Sequence, residues 1–398
     1  MNDRIKKYID ENWDKCTKEN RSDNGSLIGL PYPYSVPAVG HFDEMYYWDT
    51  YFTNRGLFLS GKGLQAKNNT DNMLYLVNRY GFMPNGNRTY YLTRSQPPML
   101  SMMVRDVYEH FCDGLWLGTA YRMLEREYSF WMTKRITPIG LNTYGGDISG
   151  DISAHVKGYC DRVGFRPDGT DEKIAQHCIA VCESGWDMTP RFGSEIYNFA
   201  PVDLNGLMYG FECNMEYFSA ELGLPDCEKW HDRAAARKEK MLKYMDNGEG
   251  ILIDYNFADG SQSDVISAGS FVPLLTGAAE ERNIKAIPKL LERLETDYGI
   301  STCEKSNDRD CYQWDYPNGW PCLQYFAVAA MQRCGYAEDA KRVAEKYVGL
   351  VEKIFDETGE FWEKYNVADG TINVTNEYKM PAMMGWSAGV YLEFKKLG

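Results

Sequence analysis

The chain has 398 residues, with 57 acidic against 43 basic side chains, a net charge of −14 and 14% aromatic residues, including 29 Tyr and 10 Trp. That acidity argues against nucleic acid or an anionic membrane surface as a partner, and no apolar run is long enough to span a bilayer. The length suits one large hydrophobic core, and no Pro- or Ser-rich linker divides it, so a single domain over residues 1–398 is expected.

The N-terminal Met1-Asn2-Asp3-Arg4-Ile5-Lys6-Lys7 lacks the apolar run of a signal peptide. The 11 cysteines are scattered and odd in number, which does not suggest a disulfide framework. Together these features predict a cytoplasmic protein. Cys178 and Cys182 lie one helical turn apart beside His177, but no second ligand pair stands at a metal-binding spacing, so no metal is assigned.

Helical periodicity recurs along the chain. Ile5, Tyr8, Ile9 and Trp13 form one apolar stripe, and Leu100, Met103, Val104, Val107 and Phe111 form another just after Pro97-Pro98. Ile287, Leu290, Leu291 and Leu294 repeat the pattern, as do Ala340, Val343, Ala344, Tyr347, Val348 and Val351. Alternating strand patterns are few. The expected class is all-α, with about a dozen helices separated by Gly, Asn and Asp-rich breaks. Short breaks, such as Gly61-Lys62-Gly63 and Gly335, suit antiparallel neighbours. Long breaks at residues 82–96, 140–192, 300–320 and 358–382 are expected to gather as functional loops at one end of a ring of helical hairpins.

Three segments mix tryptophan with carboxylate, glycine and amide groups. They are Phe42-Asp43-Glu44-Met45-Tyr46-Tyr47-Trp48-Asp49, Cys182-Glu183-Ser184-Gly185-Trp186-Asp187-Met188-Thr189-Pro190-Arg191-Phe192 and Gln313-Trp314-Asp315-Tyr316-Pro317-Asn318-Gly319-Trp320. Aromatic faces stack on sugar rings while carboxylates and amides bind hydroxyls, a mixture that an ordinary core avoids. Read alone, Asp187 is as readily a helix N-cap with Pro190 in the first turn. Neither a phosphate loop nor a dinucleotide fingerprint is present.

The motifs in order carry a family resemblance. Pro31-Tyr32-Pro33-Tyr34-Ser35-Val36-Pro37 precedes FDEMYYWDTYF (residues 42–52), and PNGNRTYYLTRSQPP (84–98) follows. ESGWD (183–187), Pro201-Val202-Asp203-Leu204-Asn205, QWDYPNGW (313–320), Glu363-Lys364-Tyr365 and Glu377-Tyr378 complete the set. With these motifs the chain resembles the trehalase family, glycoside hydrolase family 37, along nearly its whole length. The resemblance implies an (α/α)6 toroid and an inverting hydrolase of α-glucosides acting on trehalose, with no cofactor and a small carbohydrate as its partner. It places the general acid at Asp187 and the general base at Glu363. It also implies that Phe42, Trp48, Asp49, Asn85, Arg94, Gln96 and Trp320 line the pocket of the cleaved glucose. Arg166 and Asp168 match a contact to the leaving sugar, and Glu377 matches a loop that closes over substrate.

The chain departs from the family mainly on the leaving-sugar side. His41 stands where the family has an arginine, Met188-Thr189-Pro190-Arg191-Phe192 replaces an aromatic followed by Ser-Ser-Arg-Trp, and residues 367–376 replace a glycine-rich lid. These changes keep open another small α-glycoside substrate, such as glucosylglycerate, mannosylglycerate or another α-glucosyl disaccharide, and more remotely a sugar-binding protein without catalysis.

Inversion takes one carboxyl to protonate the departing oxygen and a second to activate water on the opposite ring face. Trp186 beside Asp187 would keep it protonated by desolvation, and Lys364 would assist Glu363 if it points the same way. Asp49 and Asp315 are assigned to hydroxyl binding. Arg166 is also consistent with a surface pair to Asp168. Glu44, Glu183 and Asp43 are read as salt-bridge or capping residues.

Overall fold

The computed structural model describes residues 3–148, 150–307, 312–376 and 379–397. Its α-helices in chain order are α1 (Asp3–Lys15), α2 (Tyr47–Leu59), α3 (Gly63–Tyr80), α4 (Leu100–Phe111), α5 (Gly114–Lys134), α6 (Ile152–Val163), α7 (Asp171–Glu183), α8 (Val202–Glu221) and α9 (Cys227–Met245). They continue with α10 (Phe271–Thr276), α11 (Glu281–Ile284), α12 (Ile287–Leu294), α13 (Pro321–Arg333), α14 (Ala337–Thr358) and α15 (Gly385–Phe394).

Two sequence types divide these helices. α2, α8, α13 and α15 bury residues around much of their circumference and show little amphipathic bias. α14 instead buries one stripe, including Val343, Tyr347, Val351 and Ile354, and turns charges outward. Helices of the first kind need neighbours on every side, and the ring supplies them. α2, α4, α8, α10, α13 and α15 touch in that cyclic order, with α15 closing on α2. α3, α5, α9 and α14 back this inner wall. α1 joins the outer layer through Tyr8 against Phe355 and the Trp13 indole N–H donating to Ser60. The result is an (α/α)6 toroid.

Ring closure depends on glycine. A Cβ on Gly389 of α15 would stand 2.0 Å from the Phe52 carbonyl oxygen of α2, so the two inner helices approach at backbone contact.

The predicted stripes fall on α1, α4, α12 and α14, although Phe111 ends its stripe 41% exposed. One long break needs correction. Residues 140–192 contain the α6–α7 hairpin, not an open loop. α6 buries only Val156 and Tyr159, which is too little apolar signal to mark a helix by periodicity. The alternative reading of Asp187 as a helix N-cap does not hold: Asp187 follows the end of α7, and Thr189 caps a 3-10 turn over Pro190–Phe192.

Two-residue antiparallel ladders brace the loops. One pairs Thr17 with Ser35 and Lys18 with Tyr34, and another pairs Asn318 with Asn366 and Gly319 with Tyr365. The second binds the QWDYPNGW segment to Glu363-Lys364-Tyr365. Among the described residues no helix is long and apolar enough to cross a membrane.

Candidate active site

The segments leading into α2, α4, α8, α13 and α15 converge on a cavity of about 520 Å³. Its floor is a tryptophan cluster. Trp314 stacks on Trp320 at 3.8 Å between ring centroids and 3° between planes. Trp48, Trp186 and Trp386 pack around that pair. Flat apolar faces beside polar groups are what a sugar ring requires.

The polar walls are stitched to this floor. The Tyr47 N–H donates to the Asn85 carbonyl at 3.0 Å, and the Asn85 N–H donates to the Arg94 carbonyl at 3.0 Å. The Trp48 N–H donates to Gln96 Oε1 at 3.3 Å. These bonds tie the first turn of α2, which carries Asp49, to the loop carrying Asn85, Arg94 and Gln96. Glu183 fixes the same loop from behind. Its carboxylate accepts from the Ser95 N–H at 2.7 Å, the Gly145 N–H at 2.6 Å, and Arg135 Nε and Nη2 at 2.7 and 2.9 Å.

Asp187 enters through a turn that only glycine permits. Gly185 has φ +72°, and a Cβ there would lie 2.8 Å from the Trp48 ring. Burial pushes the Asp187 carboxyl above the ordinary carboxylate range, and Glu363 adds to the rise, while Arg162 and Arg94 oppose it. Burial, together with the charges of Glu363 and Asp187, pushes Asp49 up to about 7. The influence of these carboxyls on one another follows from their sharing a single cavity.

Glu363 is 3% exposed. Its carbonyl accepts from the Trp386 indole N–H at 3.1 Å, and its carboxylate lies 2.8 Å from Lys364 Nζ. Lys364 is fully buried and sits 4.5 Å over the Trp320 ring.

The structure brings together Asp187, Glu363, Phe42, Trp48, Asp49, Asn85, Arg94, Gln96 and Trp320, with His41 also on the lining. It does not bring Arg166 or Asp168 to the cavity. Both are exposed, and Arg166 donates to Asp171 at 2.7 Å. The reason is local: Asp171 opens α7 and captures the guanidinium that the resemblance assigns to the leaving sugar. Asp315 is likewise absent from the lining, and its carboxylate accepts from the Tyr316 N–H at 2.7 Å. Glu377 lies outside the described residues.

Glu44, Asp43 and Glu183 form ion pairs with Arg88, Lys18 and Arg135. His177 is a buried structural residue. Its Nδ1 accepts from the Ile196 N–H at 3.2 Å, its Nε2 meets Tyr159 Oη at 3.1 Å, and burial lowers its pKa to about 3.

Sequence reasoning missed several neighbours of the site. Tyr46, Gln313 and Trp314 line the cavity and were legible as members of quoted motifs. Trp386 lies in an apolar helix with no local polar signature. Arg162 stands 3.9 Å from Asp187, on a helix whose segment reads as a loop.

The trehalase family model matches residues 1–151 and 167–397. The periplasmic trehalase of Xanthomonas campestris pv. campestris (strain 8004) is 31% identical over 427 residues, covering 98% of this chain and 72% of that protein. The periplasmic trehalase of Pseudomonas aeruginosa is 31% identical over 425 residues, covering 98% and 76%. Among solved structures, the neutral trehalase Nth1 of Saccharomyces cerevisiae superposes with a TM-score of 0.79 at 29% identity, covering 92% of this chain and 73% of that one. A mannosylglycerate hydrolase of family GH63 from Thermus thermophilus, in complex with glucose, gives 0.69 at 16% identity, covering 98% and 99%, a likeness of fold. The bacterial relatives are named for the periplasm, which overturns the cytoplasmic expectation. Scattered cysteines were a poor guide, because buried thiols such as Cys16 and Cys322 serve as packing groups in any compartment. The chain belongs to the trehalase family.

Proposed function

We propose that the chain is one catalytic domain that hydrolyses α,α-trehalose to two glucose molecules with inversion. Asp187 is the general acid and donates its proton to the glycosidic oxygen as the C–O bond breaks. Glu363 is the general base. It takes a proton from water, whose oxygen attacks the anomeric carbon from the opposite face. Asp49, Asn85, Arg94 and Gln96 bind hydroxyls of the cleaved glucose, which lies against the tryptophan floor beneath Phe42.

The observation that carries this reading is the contrast between two carboxyls on one cavity. Solvent reaches the Asp187 side chain through the cavity, yet the protein packed around it desolvates the carboxyl and pushes it toward its protonated form, and Glu363 lies 2.8 Å from a buried ammonium. An acid and a base need opposite environments of this kind. A binding protein without catalysis would have no use for the contrast. The likeness to a mannosylglycerate hydrolase speaks only for the fold, so glycerate-linked substrates gain no support from it.

Proton NMR of fresh trehalose digests tests the proposal. Inversion at the cleaved centre yields one β-glucose and one α-glucose before mutarotation. Two α-glucose molecules would mean retention, and with it a nucleophile about 5–5.5 Å from the acid instead of a base acting through water.

A further inference from the structure

The cavity grades from a buried floor to an open rim. Trp320, Asn85 and Gln96 are 1%, 3% and 7% exposed, whereas the Asp187 side chain is 36% exposed, and Arg162, which stands beside Asp187 just outside the lining, has a side chain 42% exposed. Arg162 Nη1 lies 3.9 Å from Asp187 Oδ2 and 3.8 Å from Cys182 Sγ, and Cys182 is itself on the cavity lining. A separation of 3.9 Å is too long for a direct hydrogen bond, but a single hydroxyl oxygen bonded to both groups fits it.

The fold brings Arg162 there by a route outside the matched family segments. It lies in the last turn of α6, a helix capped by Asp151 and packed on α7. The family model leaves residues 152–166 unmatched, and those residues include α6. α7 in turn ends at Glu183, whose carboxylate is locked by Arg135, so the hairpin is anchored just before Asp187. Arg166, the arginine that the motif comparison points to, is turned away to Asp171.

We propose that Arg162 is the specificity-determining residue on the leaving-sugar side, its guanidinium binding a hydroxyl of the departing sugar beside the oxygen that Asp187 protonates. This rests on the glucosidase reading above. The enclosed floor takes the sugar that is cleaved, so a cation at the rim next to the acid meets the sugar that leaves. Arginine suits the task, since its planar fork holds hydroxyls in fixed directions and keeps its charge at every working pH. Its position has a second effect. Arg162, Arg94 and the hydrogen-bonding Cys182 thiol, itself paired with Cys178, loosen the Asp187 proton against desolvation and the charge of Glu363, with Asp49 also facing Asp187 across the cavity.

The test compares trehalose with α-glucosyl fluoride, which carries no leaving sugar. Arg162→Ala should lower kcat/KM on trehalose about 10- to 100-fold and on the fluoride less than about threefold. On trehalose, the alkaline limb of its pH profile should also move to higher pH. Arg162→Lys keeps the charge but loses the fork, so it should keep the alkaline limb and recover only part of the trehalose activity. Equal losses on both substrates, or no loss on trehalose, would overturn the proposal. A wild-type enzyme inactive on both substrates would instead sink the glucosidase reading on which it rests. Thermal melts of the variants identify a folding defect, in which case Arg162→Gln, a shorter uncharged side chain that keeps the aliphatic stem, takes the place of the alanine variant in the same comparison.

Discussion

Lys364 lies against Glu363 with its ammonium 2.8 Å from the carboxylate, and both side chains are buried. The same ammonium sits 4.5 Å over the ring of Trp320, so one cation is shared between the proposed base and the tryptophan floor of the cavity. Consecutive residues reach this arrangement because the ladder pairing Gly319 with Tyr365 fixes the strand just beyond them. A buried ammonium at that distance fixes the direction of the carboxylate through a charge-assisted hydrogen bond.

Replacing Lys364 with methionine should therefore leave the Glu363 carboxylate without its buried anchor and lower kcat/KM on trehalose by about 10- to 100-fold. Lys364→Arg keeps a cation and should recover part of that loss. Kinetics beside thermal melts decide the matter, and a lower Tm with unchanged kcat/KM would leave Lys364 only a structural role.

Asp187→Asn and Glu363→Gln should separate on substrates that differ in their need for an acid. On trehalose both should lose at least about 10²–10⁴-fold in kcat. Fluoride departs with little proton assistance, so Asp187→Asn should retain most activity on α-glucosyl fluoride while Glu363→Gln does not. Equal losses on the fluoride would contradict the assignment of Asp187 as the acid.

Much of this site was legible before any coordinates. Trp48, Asp187, Trp320 and Glu363 sit in short mixed motifs whose composition conflicts with ordinary core packing, and that conflict marks them as site residues. The inner helices were harder to delimit, because a segment such as Gly385–Phe394, buried all round, carries no amphipathic period. Arg162 was out of reach for a different reason. Its place depends on the α6–α7 hairpin, and α6 buries too few side chains to announce itself. Arg166 was misplaced because a motif match cannot show that Asp171, five positions later, takes its guanidinium. The compartment was misread from the N-terminal segment and the scattered cysteines together, neither of which fixes it.

Asp49 makes a prediction about stability. Its folded-state pKa of about 7 lies above the ordinary aspartate value of about 4. Between those values the folded chain holds a proton that the unfolded chain has released. Its contribution to stability is therefore greatest below about pH 4 and is lost as pH rises to about 7, by up to about 1.4 kcal/mol per unit. Asp49→Asn stays neutral throughout, so its Tm should gain on the wild type from pH 5 to pH 8, although its sugar affinity falls. A difference in Tm that does not change with pH would show that Asp49 titrates normally.

His41 is the departure from the family that stands on the cavity itself. It is exposed, lines the cavity, and meets Phe42 edge-on at 5.5 Å with the rings 88° apart. An arginine there would add a longer side chain with a permanent charge and a fork of donors, where histidine offers at most two. His41→Arg should raise kcat/KM for trehalose relative to glucosylglycerate and other α-glucosides. One recovered charged hydrogen bond is worth about 1.5–3 kcal/mol, so a change of at least about tenfold is expected. Because Arg162 is proposed to serve the same departing sugar, the two positions should compensate. His41→Arg placed on Arg162→Ala should restore part of the lost trehalose activity and leave α-glucosyl fluoride unaffected. Unchanged preference in the single variant would remove His41 from the specificity of the enzyme. Rescue that appears equally on the fluoride would place its effect on the cleaved glucose instead.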